Sequence, residues 1–249
     1  MEHGIHIALA PGELFSFWGI PITNTLVTTW VVFIILAITG YFVGRNLKLI
    51  PSRVQVVFET IISFTQNYME EVLEDKKLAL QYLPLILTLF FFILLSNLLG
   101  LLPGIGSVGF HITEGEHTKF VSLLYPANTD LNVTLALSII AFIAIEIAGV
   151  SAIGFLKYAG KFVTFNSVIG FFVGIIELIS EIARLVTFSF RLFGNMFAGK
   201  VLILIATFFV PLLVPVPLMA YEVFVGFIQA VVFALLTLFF IKIAVTEPH

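Results

Sequence analysis

Polar and ionisable side chains recur at a helical spacing inside a long apolar stretch near the C-terminus. Three of them are seven residues apart, and seven residues return an α-helix to within about 20° of the same direction. The predicted stripe holds six residues: Glu177, Ser180, Arg184, Thr187, Arg191 and Asn195. On the next apolar stretch Glu222 and Gln229 are also seven apart and share a face. Ionisable groups in such a setting indicate an ion path or ion pairs between helices.

Arg191 is the group whose chemistry is most constrained. An arginine does not plausibly lose its proton, and about 15 residues of predicted helix lie on either side of it before a turn or a polar boundary. This chain offers it no carboxylate one helical turn away. We therefore expect Arg191 to face a water-filled cavity or an anionic partner on another polypeptide. For Glu177, Glu181, Arg184 and Lys200, snorkelling and helix–helix pairing remain open as alternatives.

The composition identifies the solvent of these stretches as lipid. The chain has 249 residues, of which 60% are hydrophobic and 11% are charged, against roughly 25% charged in ordinary soluble proteins. Mean hydropathy is +1.13. Only 12 Lys and Arg are present, so we expect no nucleic-acid partner. The absence of Cys and the position of all five His outside the spans predict no metal site and no cofactor.

Apolar runs of about 20 residues predict an all-α integral membrane protein with about five spanning helices and one amphipathic surface helix. We interpret residues 1–249 as a single membrane domain. Its predicted segments are an outer N-terminal segment 1–24, a first span 25–44, the surface helix 51–77, a second span 78–102, an outer loop 103–131, a third span 132–157 and a helical hairpin 165–245.

The first helix of the hairpin is too long for an upright span. Residues 168–210 contain no proline and would form a helix of roughly 60 Å, about twice the thickness of the hydrocarbon core. We expect it to be steeply tilted, or to begin well outside the membrane. The distribution of Lys and Arg among the loops favours an outer N-terminus and a cytoplasmic C-terminus.

Three sequence strings resemble one known family. They are FSFRLFGNMFAGKVL at 188–202, PANTDLNVTLALSI at 126–139 and FIQAVVFALLTLFFI at 227–241. The first resembles the RLFGNM(x)AG signature of subunit a of F-type ATP synthases, and the order of the spans also agrees. The resemblance implies a non-catalytic stator subunit with no nucleotide site, which offers two aqueous half-channels to a rotating ring of c subunits.

The resemblance also implies roles for individual residues. Arg191 matches the essential arginine, which keeps the ring carboxylate ionised and blocks leakage between the half-channels. Asn195 and Gln229 match polar residues of the two hairpin helices. Glu177 and Ser180 match residues of the inner half-channel. Asp130 matches an acidic position at the outer entrance.

This chain departs from the family at two positions. The family often has an acidic residue and a histidine where this chain has Lys200 and Glu222. Glu222 can still relay protons, whereas Lys200 is a poor relay and is expected to be coupled to Glu222 as an ion pair.

The implied partners are the c-subunit ring facing Arg191, the peripheral-stalk b subunits, the rest of the ATP synthase complex and the lipid bilayer. The location favoured is the inner (plasma) membrane of a bacterium, with the mitochondrial inner membrane or the thylakoid as alternatives.

Three other functions fit the sequence in part. A sodium-translocating version of the same subunit stays open, because the ring sets the choice of ion. A secondary transporter predicts internal repeats with broken helices, which the sequence does not show. A purely structural anchor leaves Arg191 and Gln229 unexplained.

Overall fold

The computed structural model describes residues 11–45, 48, 50–102, 104–114, 117–160, 162, 168–211 and 213–246. Parts of the predicted segments 1–24 and 103–131 and the first residues of the 165–245 hairpin lie outside this range. In chain order the elements are β1 (Glu13–Phe17), β2 (Ile20–Thr23), α1 (Asn24–Arg45), α2 (Arg53–Leu73), α3 (Lys76–Leu101), β3 (Gly109–Glu114), β4 (His117–Ser122), a 3₁₀ turn (Ala127–Thr129), α4 (Leu131–Ile153), α5 (Phe155–Gly160), α6 (Val168–Phe209) and α7 (Pro215–Val245).

Four of these helices, α1, α3, α4 and α7, are long and apolar enough to cross a membrane. The prediction of an all-α integral membrane protein is confirmed at this level. The predicted fifth span corresponds to α6, a continuous helix of 42 residues and about 63 Å at the standard rise. Its inclination to the membrane stays a prediction.

The predicted surface helix 51–77 is shorter than expected. Ser52 caps the start of α2, where its hydroxyl accepts a hydrogen bond from the Gln55 amide at 3.3 Å. Glu74 ends the helix in the left-handed conformation, with φ of 56°. The Asp75 carboxylate then accepts the Lys77 amide at 2.6 Å and so caps α3. The second span consequently begins at Lys76 rather than at residue 78.

The third span also differs from its predicted bounds of 132–157. It ends at Ile153, because Gly154 takes φ of +90°. A backbone with positive φ ends the helix, and glycine adopts it without the steric strain that a Cβ would cause. A separate short helix, α5, follows. At the other end Asp130 caps α4, since its carboxylate accepts the Asn132 amide at 2.9 Å.

The described residues also form two antiparallel β-hairpins that were not predicted. β1 and β2 are joined by Trp18 and Gly19, both with positive φ, as a tight two-residue turn requires. β3 pairs with β4 inside the segment expected to be an outer polar loop. Part of the predicted outer loop 103–131 is therefore strand, which begins at Gly109.

The described residues form two compact units. Their segments lie within Met1–Leu49, Phe90–Thr134 and Leu192–Val231 for the first unit, and within Ile50–Leu89, Leu135–Arg191 and Val232–His249 for the second. Each has a core of fully buried side chains. In the first these include Val32, Ile93 and Leu192, and in the second Met69, Leu238 and Ile241.

Candidate functional site

Helices α6 and α7 carry most of the polar residues that the sequence singled out. No proline interrupts α6, so its backbone hydrogen bonds continue from Val168 to Phe209. Pro211 cannot continue the ladder, and Pro215 begins α7, where a proline at the first position loses no helical bond. In the second unit the Phe188 ring of α6 packs on Phe233 of α7 with centroids 5.0 Å apart.

A cavity of about 410 Å³ in the second unit, here called the arginine cavity, contains Arg191. Its lining residues are Ser180, Ala183, Arg184, Thr187, Phe188, Arg191, Leu236 and Phe240. The predicted stripe thus brings Ser180 and the half-buried Arg191 to one cavity. No carboxylate belongs to this lining among the described residues. The guanidinium of Arg191 therefore faces space that water or an anionic group from outside the chain can enter.

Arg184 lies in the same cavity but has a partner within the chain. Its Nη1 is 2.7 Å from Oε1 of Glu181, and the guanidinium lies 4.6 Å from the centroid of the Phe240 ring. Glu181 is only 3% exposed, and a buried carboxylate is tolerated when it is paired. Both residues lie on α6, three positions apart, so this ion pair lies within one helix. The contact of Arg184 with the Phe240 ring joins α6 to α7, and the two arginines of the stripe differ in their surroundings.

The remaining acidic groups of this unit lie apart from the arginine cavity. Glu177 is half-buried on α6 and is not part of the lining. The sequence reasoning missed Glu146 and Tyr158. Burial raises the pKa of the Tyr158 phenol, and the carboxylates of Glu146 and Glu181 raise it further. Glu146 is the only charged residue of α4, a signal that could have identified it.

A larger cavity of about 650 Å³ lies in the first unit and is here called the lysine cavity. It is lined from α3 and the segment that follows it, from the residues around the 3₁₀ turn, from α6 and from α7. Its polar side chains are Ser96, Ser107, Asn97, Asn128, Thr129, Lys200, Thr207 and Glu222. Lys200 and Glu222, the two departures from the family pattern, are thus brought together in one cavity.

Three residues of this lining carry buried oxygens without a hydrogen-bond partner in the described part of the chain: Ser96 Oγ, Asn128 Oδ1 and Glu222 Oε1. Each unmade hydrogen bond costs about 1–3 kcal/mol. A cavity of this size and polarity has room for water molecules that could supply the missing partners. The arrangement therefore favours a hydrated cavity.

A chain of hydrogen bonds fixes one wall of the lysine cavity. The Asn128 amide donates to Asn97 Oδ1 at 2.7 Å, and the Asn97 amide donates to the Gly226 carbonyl at 2.9 Å. Both asparagines are buried. They join the 3₁₀ turn, α3 and α7 without any charged group. The adjacent polar pair Ser96–Asn97 within the apolar second span was the sequence signal for this wall.

The expected ion pair between Lys200 and Glu222 is wrong. Among the described residues neither side chain is within salt-bridge distance of an opposite charge. Instead the Lys200 Nζ atom lies 3.0 Å from the centroid of the Tyr125 ring. The Glu222 carboxyl packs against Gly199, where an added Cβ would come within 2.1 Å of Glu222 Cδ. The two groups share a cavity, but each has a different neighbour.

Asp130 lies in a packed joint outside both cavities. Thr25 donates its hydroxyl hydrogen bond to Asp130 Oδ2 at 2.6 Å, while Oδ1 caps α4. The carboxylate is 4% exposed, so in this structure it joins α1 to the start of α4. Of the remaining predicted residues, Asn195 is exposed, Gln229 is half-buried, and neither belongs to the lining of the two cavities.

No group of three or more His, Asp, Glu or Cys side chains in the described ranges is arranged to hold a metal ion. The two cavities combine charged groups on long apolar helices, one of them the ion-paired Arg184, with water-sized space beside them. Such a site can bind and exchange protons or other small cations.

Comparison with known proteins identifies the family. The family model described as ATP synthase A chain matches residues 26–242. The chain belongs to the ATP synthase A chain family. This membership implies a place in the ATP synthase complex, as a membrane subunit.

Full-length relatives support the assignment. ATP synthase subunit a of Trichlorobacter lovleyi is 34% identical over 251 residues, which cover 100% of this chain and 94% of the relative. The subunit a of Moorella thermoacetica is 33% identical, covering 93% and 94%. That of Geobacter sulfurreducens is 33% identical, covering 91% and 89%.

Proposed function

We propose that this chain is the proton-translocating stator subunit of a rotary F-type ATP synthase. It provides two aqueous half-channels to the carboxylate of a c-subunit ring, with Arg191 between them. The observation that carries the proposal is that α6 lines two polar cavities along its length, one with Arg191 and the other with Lys200.

The lysine cavity is the outer half-channel in this proposal. Its hydration is supported by the unpartnered oxygens of Ser96, Asn128 and Glu222. Glu222 is the carboxylate of the lining among the residues that the structure describes, and it is therefore the residue that takes a proton from water and passes it toward the ring. Gln229, two helical turns further along α7, orients the transfer by hydrogen bonding.

Arg191 acts on the ring carboxylate by electrostatics. A permanent positive charge stabilises the ionised carboxylate and so promotes release of its proton. The same charge repels a hydrated proton and prevents direct passage between the half-channels. Asn195, one turn beyond Arg191 and exposed on α6, is suited to contact the ring beside it.

The arginine cavity is the inner half-channel. Ser180 lines it, and Glu177 lies one helical turn further toward the start of α6, where it receives the departing proton. Asp130, assigned to the outer entrance by resemblance, supports the outer half-channel indirectly through its joint with Thr25.

The complex supplies the partners that this chain needs. The ring faces Arg191, and the peripheral-stalk b subunits hold the chain still while the ring turns. The relatives cited above are bacterial, which supports a location in the bacterial plasma membrane. The Lys and Arg distribution favours an outer N-terminus and a cytoplasmic C-terminus.

The contact with the ring is tested by cross-linking, because the chain has no Cys of its own. A single cysteine is introduced by Asn195→Cys and paired with cysteines placed on the ring. We expect a cross-linked product that stops ATP-driven rotation. Val54→Cys on α2, where Val54 is 61% exposed, is the matched control and should give none. Equal products from both variants would contradict the assigned face.

The choice of ion is tested in proteoliposomes that contain the complete ATP synthase. ATP-driven acidification is measured with a fluorescent dye in sodium-free and sodium-containing buffer. Proton translocation predicts acidification without sodium and its loss in Glu222→Gln. Uptake of sodium into the vesicles that persists in the presence of an uncoupler would show that sodium, not the proton, is the transported ion.

A further inference from the structure

Tyr125 and Lys200 form a contact that the transport scheme above does not use. The ammonium of Lys200 lies 3.0 Å from the centroid of the Tyr125 ring, and both residues line a smaller cavity of about 230 Å³. We propose that Tyr125 is a positioning residue that holds Lys200 away from Glu222 and so leaves Glu222 free to exchange protons. This inference rests on the proposed function of the lysine cavity.

The backbone at Tyr125 is held by contacts with two helices. The Tyr125 amide donates a hydrogen bond to the Thr28 hydroxyl on α1 at 3.0 Å. The next residue, Pro126, packs so closely on α3 that a Cβ at Gly100 would lie 2.7 Å from Pro126 Cβ. The backbone that carries the ring is therefore held from α1 and α3, while Lys200 approaches the ring from α6. A ring on such a fixed backbone has a limited range of positions and can hold the end of a flexible four-carbon side chain.

The electrostatics of the contact favour this arrangement. The face of a neutral phenol ring attracts an ammonium group, more strongly when both are shielded from water. Burial raises the pKa of Tyr125, so the phenol stays neutral and the interaction remains that of a cation with a ring face.

Glu222 is the competing partner for the ammonium. Its carboxyl lies against Gly199, the residue before Lys200. Lys200, Glu222 and Tyr125 are the titratable groups of the two linings among the described residues. Without the ring, the carboxylate of the described lining with which the Lys200 ammonium can pair is that of Glu222. An ion pair would then hold Glu222 in its ionised form and oppose the uptake of a proton.

The test compares Tyr125→Phe, which keeps the ring face, with Tyr125→Leu, which removes it. Gradient-driven ATP synthesis is measured in proteoliposomes of the complete complex as a function of the pH of the outer compartment. We expect Tyr125→Phe to retain the rate of the parent complex. Tyr125→Leu should lose about fivefold at neutral outer pH, the fold-change that corresponds to a cation–ring contact of ordinary strength.

The pH dependence separates positioning from folding. The rate of Tyr125→Leu should recover at lower outer pH, because a paired Glu222 takes up a proton only at higher proton concentration. Adding Lys200→Met should make Tyr125→Leu indistinguishable from Lys200→Met alone, since Tyr125 acts through Lys200. The amount of chain in the purified complex is the folding control.

Three outcomes would overturn the inference: a normal rate in Tyr125→Leu, an equal loss in Tyr125→Phe, or additive losses in the double variant. Failure of the proposed function is distinguishable from these. In that case the parent complex itself would not couple a proton gradient to ATP synthesis.

Discussion

Replacement of Arg191 by alanine tests the central electrostatic argument. Arg191 is half-buried and lines a cavity without a carboxylate among its described lining residues. We therefore expect Arg191→Ala to assemble but to abolish ATP synthesis driven by a proton gradient. Passive proton leak should rise, because the barrier between the half-channels is removed.

The size of the effect follows from the surroundings of the guanidinium. A partly hydrated cavity corresponds to an effective dielectric constant of about 20, at which two unit charges 4 Å apart interact by about 4 kcal/mol. At about 1.4 kcal/mol per decade, this energy changes the ratio of ionised to protonated ring carboxylate roughly a thousandfold. A loss of that size leaves the carboxylate protonated as it passes the stator.

Reconstituted vesicles separate the two consequences. Synthesis is measured under an imposed proton gradient, and leak is measured in the absence of nucleotide. Arg191→Lys should also synthesise ATP slowly, because a lysine can lose its proton when desolvated and holds a compact charge at a different distance from the backbone. Arg184→Lys is the matched control, since its ion pair with Glu181 is available to either cation. Near-normal synthesis in Arg191→Ala would mean that Arg191 only stabilises the fold.

Three stability predictions follow from contacts elsewhere in the chain. Thr25→Val should lower the free energy of unfolding by about 1–3 kcal/mol, since it leaves Oδ2 of the buried Asp130 carboxylate without the Thr25 hydroxyl donor; an unchanged melting temperature of the detergent-solubilised complex would contradict this. Glu181→Gln should lower the free energy of unfolding by about 1–2 kcal/mol, because Arg184 loses its counter-charge but remains partly exposed to solvent. The same melting assay, run at low and high salt, measures this effect. Lys242→Met should lower the free energy of unfolding by less than about 1 kcal/mol, because the Lys242 ammonium donates a hydrogen bond to the Leu73 carbonyl at the end of α2 while it is partly solvated. Faster proteolysis between α2 and α3 is the expected result.

Local patterns predicted much of the element order but not where each helix ends. Apolar runs identified α1, α3, α4 and α7 because a membrane span needs about 20 apolar residues whatever surrounds it. The boundaries at Glu74 and Gly154 depend on single residues with positive φ, which hydropathy does not detect. The β3–β4 hairpin was missed because its strands are short and carry polar residues, and its pairing is decided by cross-strand hydrogen bonds.

The stripe of polar residues on α6 was a property of the sequence itself. The helical period is fixed by backbone geometry, so residues seven apart must share a face once the helix forms. The presence of Ser180 and Arg191 in one cavity agrees with that argument. The isolation of Arg191 from carboxylates one turn away was also readable from its neighbours.

Only the tertiary structure decided which partners the charged groups have. Lys200 and Glu222 are opposite charges on adjacent helices, and pairing was the reasonable expectation; the structure instead places Lys200 on the ring of Tyr125, 75 residues earlier in the chain. The Asp130 carboxylate likewise accepts a hydrogen bond from Thr25, which lies 105 residues earlier in the chain. Spacing along a helix determines the direction of a side chain, whereas its partner depends on which distant segment packs there. The packing of the whole fold determines which segment that is. A contact between residues far apart in the chain forms only when many other contacts offset the entropy lost on closing the loop between them.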